Sequence, residues 1–172
     1  QVRKEIYNRN YAFRSYADKI SEIEGGGGGG EAIAFAPSSI RFAKQSDLTE
    51  MDLSFIDGSK FDTMFEMFSD CKNLSSVVLP ETIGNVTSLN KVFYRCNNLK
   101  TIDGLTRINT ENVTDFSYLF YDCYLLENID ISGWSTSKAT NMSDMFSRCE
   151  TVSALDVSNF NTSNVTNITN MF

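Results

Sequence analysis

The sequence predicts an α/β repeat fold, a solenoid with a parallel sheet on one face and short helices on the other, preceded by an N-terminal helix. Three observations lead to this prediction. A Phe-x-x-Cys pair recurs every 25–27 residues, a short alternating apolar segment follows each pair, and apolar residues at steps of three and four precede it. A fixed period of this length is typical of stacked repeats, because one unit cannot bury its own apolar face.

The repeat covers most of the chain. The pair occurs at Phe68/Cys71, Phe93/Cys96, Phe120/Cys123 and Phe146/Cys149. Phe42 lies 26 residues before Phe68, and Phe172 lies 26 residues after Phe146. We therefore assign residues 48–172 to about five units, the last of them incomplete, and residues 31–47 to a capping unit.

The segment after each cysteine predicts a short strand. In its clearest copy, Leu126–Ser132, Ile129 and Ile131 alternate with polar residues, which is the period of a strand with one buried face. The equivalent segments are residues 48–54, 74–80, 99–105 and 152–158. Stacked units would pair these strands in a parallel sheet.

The second part of each unit predicts a short helix. Val113, Phe116, Phe120 and Cys123 follow one another at steps of three and four. The residues between the apolar positions are Asn, Thr, Ser and Asp, which form helices poorly. We therefore expect short helices, capped by residues such as Asn112 and held in place by packing.

The two ends of the chain differ from the repeat. In residues 1–24, Phe13, Tyr16, Ile20 and Ile23 fall at the spacing of an amphipathic helix. Six glycines follow at positions 25–30, and we interpret them as a flexible linker. The last unit stops at Phe172 without a polar capping segment, so we expect a longer protein with more units or, alternatively, self-association through this uncapped repeat.

The composition argues against several classes of function. The net charge of −7 disfavours binding to nucleic acid and to anionic lipid. No apolar run approaches the ~18 residues needed to cross a membrane, so we expect no membrane insertion. Histidine is absent, which removes the commonest general base and metal ligand. We therefore expect no enzymatic activity and no cofactor.

The four cysteines share one repeat position on the predicted inward face. A column of buried, reduced thiols that pack as small apolar groups is the favoured interpretation. Disulfides between neighbouring units are the alternative, because stacked strands lie close enough for them. Zinc is disfavoured, because the sequence contains no Cys-x-x-Cys pair.

One strand position carries a row of aspartates, interrupted by Val78: Asp52, Asp103, Asp130 and Asp156. On the outward face of a parallel sheet this row could bind a cation such as calcium, or a basic partner. A solvated polar face that keeps the sheet soluble is the alternative.

Other residues of the same face complete the candidate binding surface. Glu127 and Asn128 adjoin Asp130 in the strand segment. Trp134 and Phe160 share another repeat position, where they could stack against sugars or, alternatively, pack at the edge of the core.

The segments DVSNFNTSNVTNITNMF and MFSRCETVSALDVS resemble the BspA-like leucine-rich repeats of bacterial surface proteins. The units that contain VVLPETIGNVTSL and IDGLTRINTENVTDF keep the Val, Phe and Cys positions but lose the Asp-Leu-Ser core. The resemblance implies a leucine-rich-repeat solenoid, an extracellular or cell-surface location, and attachment or recognition without enzymatic activity. The front segment, YADKI before a glycine run, resembles parts of prophage tail proteins.

Two functions follow as expectations. The first is a non-enzymatic adhesion or recognition module that binds a protein or a glycan through its repeat face. The second is a virion component, in which the N-terminal helix joins a phage tail and the repeats decorate or recognise a bacterial surface.

Overall fold

The computed structural model describes residues 38–172. The predicted helix of residues 1–24, the glycine linker and residues 31–37 of the capping unit lie outside the described residues. Within the described part, no helix has the length and apolar character needed to cross a membrane.

Short parallel strands join the first three units. A three-stranded sheet has the order β1-β3-β5, and in its register Met51, Val77 and Ile102 lie opposite one another. A two-stranded parallel sheet pairs β2 with β4. The strands are β1 (Glu50–Asp52), β2 (Asp57–Gly58), β3 (Ser76–Val78), β4 (Thr82–Ile83) and β5 (Thr101–Asp103).

The strands predicted in the later units do not form. Residues 126–132 and 152–158 are irregular, although the sequence gives their clearest alternation. Ile129 and Ile131 are nevertheless buried. The alternation therefore predicts which side chains face inward. It does not predict the ladder of backbone hydrogen bonds that defines a strand.

The prediction of short helices was wrong. Among the described residues the one helix is a 3-10 turn at Leu105–Arg107, and the segments around each Phe-x-x-Cys pair are successive tight turns. Alternate backbone N–H groups donate to the next unit, and those between them donate to the carbonyl three residues before, within the same turn. The N–H of Phe93 donates to the carbonyl of Leu119 at 3.0 Å, and the N–H of Phe120 donates to that of Met145 at 2.9 Å.

These turns depend on residues in the left-handed region of backbone space. In the four units with a Phe-x-x-Cys pair, two non-glycine positions have positive φ, two residues before and two residues after the phenylalanine of the pair. Around Phe93, for example, Lys91 has φ 56° and Arg95 has φ 57°. Their N–H groups donate to Ser117 and Tyr121 of the next unit, at 3.1 and 2.7 Å. Each such residue costs on the order of 1 kcal/mol in strain, and the bond that it directs at the neighbouring unit offsets this cost.

A column of phenylalanine rings runs through the core. Successive rings are stacked nearly parallel, with centroids 5.5–5.8 Å apart and interplanar angles of 4–13°. The column comprises Phe42, Phe68, Phe93, Phe120, Phe146 and Phe172. Phe42 is 2% exposed, and Phe172, the last residue of the sequence, is 70% exposed.

The column of reduced thiols is confirmed. All four cysteines are free, and three are fully buried. Each thiol donates to the carbonyl of a phenylalanine of this column in the preceding unit, as Cys123 does to Phe93 at 3.2 Å. Burial raises the pKa of Cys71 to about 11 and that of Cys149 to about 12. A neutral thiol packs as a small apolar group and is a weak hydrogen-bond donor, and the cysteines have both roles here.

We expect Phe93→Ala to lower the free energy of unfolding by about 3–5 kcal/mol, because it removes a fully buried ring from the middle of the column. Phe172→Ala is the matched control at the exposed end and should cost below about 1 kcal/mol. Urea unfolding of both variants measures the difference. Equal losses of unfolding free energy in the two variants would show that the contribution of a ring to stability does not depend on its burial.

We also expect stability to fall as the pH rises above about 9, the ordinary pKa of a thiol. The unfolded thiols lose their protons there, while the fold keeps them until about pH 11 at Cys71. Within this window the unfolded state binds fewer protons, so stability falls by up to about 1.4 kcal/mol per pH unit for each thiol. Urea unfolding between pH 7 and 11 measures the slope. Cys71→Ala should give a shallower slope, and an unchanged slope would contradict this assignment.

Candidate functional site

Two members of the predicted aspartate row lie in the parallel sheet, whereas Asp130 and Asp156 lie in irregular segments. Asp52 in β1 and Asp103 in β5 share one register position, and Val78 of β3 lies between them. The two carboxylates are thus separated by two strand spacings, roughly 10 Å. Among residues 38–172, no group of three or more acidic or cysteine side chains lies close enough to hold a metal ion.

The aspartates of the row bind neighbouring groups of their own unit. Oδ1 of Asp130 accepts hydrogen bonds from the N–H and the hydroxyl of Ser132, at 3.2 and 2.8 Å. Asp52 and Asp156 accept in the same way from the N–H of Ser54 and Ser158, both at 2.9 Å. These are Asx turns, a common local use of aspartate. The bonds from Ser158 lower the pKa of Asp156.

The fourth member of the row forms an ion pair. Oδ2 of Asp103 lies 2.9 Å from Nη2 of Arg107, which follows it in the 3-10 turn. Glu127 and Asn128, beside Asp130, are exposed. The strand face is therefore polar and largely occupied by its own turns and ion pairs.

The structure corrects the assignment of Trp134 to a ligand-facing surface. Its side chain is 2% exposed, its Nε1 donates to the carbonyl of Leu105 at 2.9 Å, and its ring lies 5.9 Å from that of Phe116. Phe160, at the equivalent position, is half-buried and packs against the core. Both rings follow the edge-packing alternative, because the turn that carries them directs them inward.

A second surface, on the turn side of the units, concentrates the aromatic residues. Tyrosine occurs seven times in the chain, and all four copies within the described part lie here, each half-buried. We call this surface the tyrosine face; its rings are Tyr94, Tyr118, Tyr121 and Tyr124. Tyr94 and Tyr121 are stacked with centroids 5.2 Å apart, and Tyr118 stands edge-on to them at 5.9 and 5.6 Å.

Cations and carboxylates surround these rings. Nζ of Lys91 lies 5.5 Å from the Tyr94 centroid and 5.7 Å from that of Tyr118, within the range of cation–π attraction. The guanidinium of Arg95 lies 5.9 Å from the Tyr94 ring and 3.4 Å from Asp70. The carboxylate of Asp144 raises the pKa of the Tyr118 phenol. The rings are thus in contact with charged side chains of both signs.

Arg148 and Asp122 form the most buried ion pair of this face. Nη1 of Arg148 lies 3.2 Å from Oδ1 of Asp122, whose side chain is 9% exposed. That oxygen accepts no well-directed hydrogen bond within the described residues, so the contact is ionic and not a directed hydrogen bond. The same guanidinium lies 5.0 Å from the Tyr124 ring.

The sequence pattern does not predict this face. The core positions of a repeat must recur because stacking fixes them, whereas the outward positions are free to vary. Tyrosine enters only in the units of Phe93 and Phe120, at positions that carry Ser69, Ser147, Lys91, Asp144 or Glu150 in other units. The sequence shows this departure from the repeat. The contacts between the rings cannot be predicted from the sequence, because they depend on how the turns fold.

Comparison with known proteins gives one match. The sequence model of the family described as "Mycoplasma protein of unknown function, DUF285" matches residues 38–102 and 87–172, more than half of the chain. Searches of curated proteins and of solved structures gave no significant match.

We expect Asp130→Ala to cost about 1 kcal/mol, because it deletes the acceptor of the Asx turn. Asp130→Asn should stay close to the wild type, because its amide oxygen accepts the same bonds. Urea unfolding with and without millimolar calcium measures both effects. If calcium raised the stability of the wild type and both variants lost that gain, the row would be a metal site after all.

Proposed function

The chain belongs to the DUF285 family, and on this premise we propose that it is a non-enzymatic recognition module that binds a protein or a glycan at a cell surface. The observation that supports this proposal is the tyrosine face. Tyrosine and arginine are the residues that contribute most to binding energy in recognition surfaces. Four tyrosines of two adjacent units lie together with three cations, of which Arg148 belongs to the following unit.

The rigidity of this face also supports recognition. Stacked rings, cation–π contacts and ion pairs order the side chains before any partner arrives, and this lowers the entropy cost of binding. Tyrosine adds a large contact area with few rotatable bonds and a phenol that can donate and accept. The strand face is a weaker candidate, because its aspartates already bind their own turns.

We further propose that the units form a BspA-like leucine-rich-repeat solenoid of a bacterial surface protein. The parallel strands, the columns of core residues and the hydrogen bonds between units support a stacked repeat. The DUF285 family is itself associated with surface repeat proteins of the BspA type. An extracellular or cell-surface location is part of the same proposal.

The second candidate function, a phage tail component, depends on the helical pattern and glycine run of residues 1–30. That segment lies outside the described residues, so this function stays a hypothesis. Its test is the first experiment below, in which binding to bacteria instead of host material would favour it.

We expect the fluorescently labelled chain to bind saturably to one of two panels, host epithelial cells with matrix proteins or whole bacteria. The double variant Tyr118→Ser/Tyr121→Ser should weaken this binding at least tenfold, because it removes two of the three contacting rings. The triple variant Asp103→Asn/Asp130→Asn/Asp156→Asn on the strand face is the control and should bind like the wild type. The reverse pattern would place recognition on the strand face, and absence of binding to both panels would contradict the proposed function.

A further inference from the structure

We propose that the surface beside Tyr121, on the side of Ser147 in the next unit, is a carbohydrate subsite that accepts one pyranose ring. We call this surface the step. This inference rests on the proposed function and names the chemical class of its ligand. The step lies at the end of the short stack of tyrosine rings.

Backbone hydrogen bonds define the step. The N–H of Arg95 donates to the carbonyl of Tyr121, and the N–H of Asp122 donates to the carbonyl of Ser147, at 2.7 and 3.1 Å. Tyr94, Tyr121 and Ser147 therefore occupy the same position in three successive units. The first two positions carry rings stacked 5.2 Å apart, whereas the third carries a hydroxymethyl group. Within residues 38–172, Tyr121 therefore stacks on Tyr94 and contacts Tyr118 edge-on, and no ring of the following unit stacks on it.

The chemistry of the step suits a sugar. The C–H face of a pyranose is apolar and slightly positive, so it packs against the negative face of an aromatic ring as other positive groups do. Its hydroxyls need both donors and acceptors. Arg148, half-exposed and in contact with the Tyr121 phenol and Asp122, supplies donors. The Ser147 hydroxyl, which is half-buried, can both donate and accept.

The size of the cluster favours a sugar over a protein. Stable protein interfaces bury about 800 Å² on each partner and use 20–30 residues a side. The contacting rings of the tyrosine face lie within 5.2–5.9 Å of one another, in two adjacent units. An aromatic surface of that extent matches one or two sugar rings.

The side chains around the step are held in place by contacts with one another. Tyr118 stands edge-on to Tyr121, and Lys91 bridges Tyr94 and Tyr118 through cation–π contacts. A ligand that enters therefore loses little of its binding energy to fixing side chains. A flexible tyrosine cluster would not offer this advantage.

The experiment measures binding of the full chain to a panel of immobilised neutral and acidic oligosaccharides, with free monosaccharides as competitors. Ser147→Tyr would place a third ring in the step and should reduce glycan binding at least tenfold. Lys72→Tyr is the control, because Lys72 is exposed and lies two units away, so it tests for unspecific adhesion of an added tyrosine. Tyr121→Ala gives a second, smaller change at the step and should cause a similar loss. Circular dichroism and urea unfolding verify that each variant folds.

The possible outcomes separate this inference from the proposed function. Glycan binding that Ser147→Tyr and Tyr121→Ala abolish, and Lys72→Tyr leaves intact, supports the subsite. Tyrosine-dependent binding to cells or matrix proteins without binding to any oligosaccharide overturns the subsite and leaves the recognition module standing. Glycan binding that is unchanged in Ser147→Tyr also overturns it. Absence of binding to glycans, cells and proteins alike overturns both.

Discussion

The structure depends on one constraint: the backbone of each unit must hydrogen-bond to the next unit across its tight turns. Residues such as Lys91 and Arg95 meet this constraint by adopting positive φ, which directs their N–H groups at carbonyls of the neighbouring unit. Such conformations are strained for non-glycine residues and persist only where the surroundings over-determine them. The same two positions recur in successive units, so the stacking of one unit on the next holds these residues in the strained conformation.

The core columns follow from the same constraint. Once successive units are held in register by backbone bonds, equivalent side chains lie above one another at one unit spacing. Phenylalanine rings then stack at 5.5–5.8 Å, and each thiol reaches the carbonyl of a phenylalanine in the preceding unit. A side chain of another shape would break the column at that level, because interiors are close-packed and relax only partly. Hence the Phe-x-x-Cys pair recurs.

The constraint also explains where variation is allowed. The left-handed positions have their backbone in the turn and carry acidic, basic or aromatic side chains in different units, so their identity can change without loss of the stack. Tyr118 and Asp144 occupy the same position in successive units, and so do Asp122 and Arg148. Recognition is therefore best sought at positions that depart from the repeat, and the tyrosine face is such a departure.

The sequence by itself determined the period of the repeat and the inward position of its Phe and Cys side chains, because burial follows directly from a recurring apolar pattern. It did not determine the secondary structure around Phe120. Apolar residues at steps of three and four arise equally from a helix and from successive turns. What separates the two is the acceptor of alternate N–H groups, those of Tyr118, Phe120 and Asp122, which here lies in the next unit, 25 residues away. For the same reason only the tertiary structure decided that Trp134 is buried and that three tyrosines meet, since these contacts join residues from different turns and units.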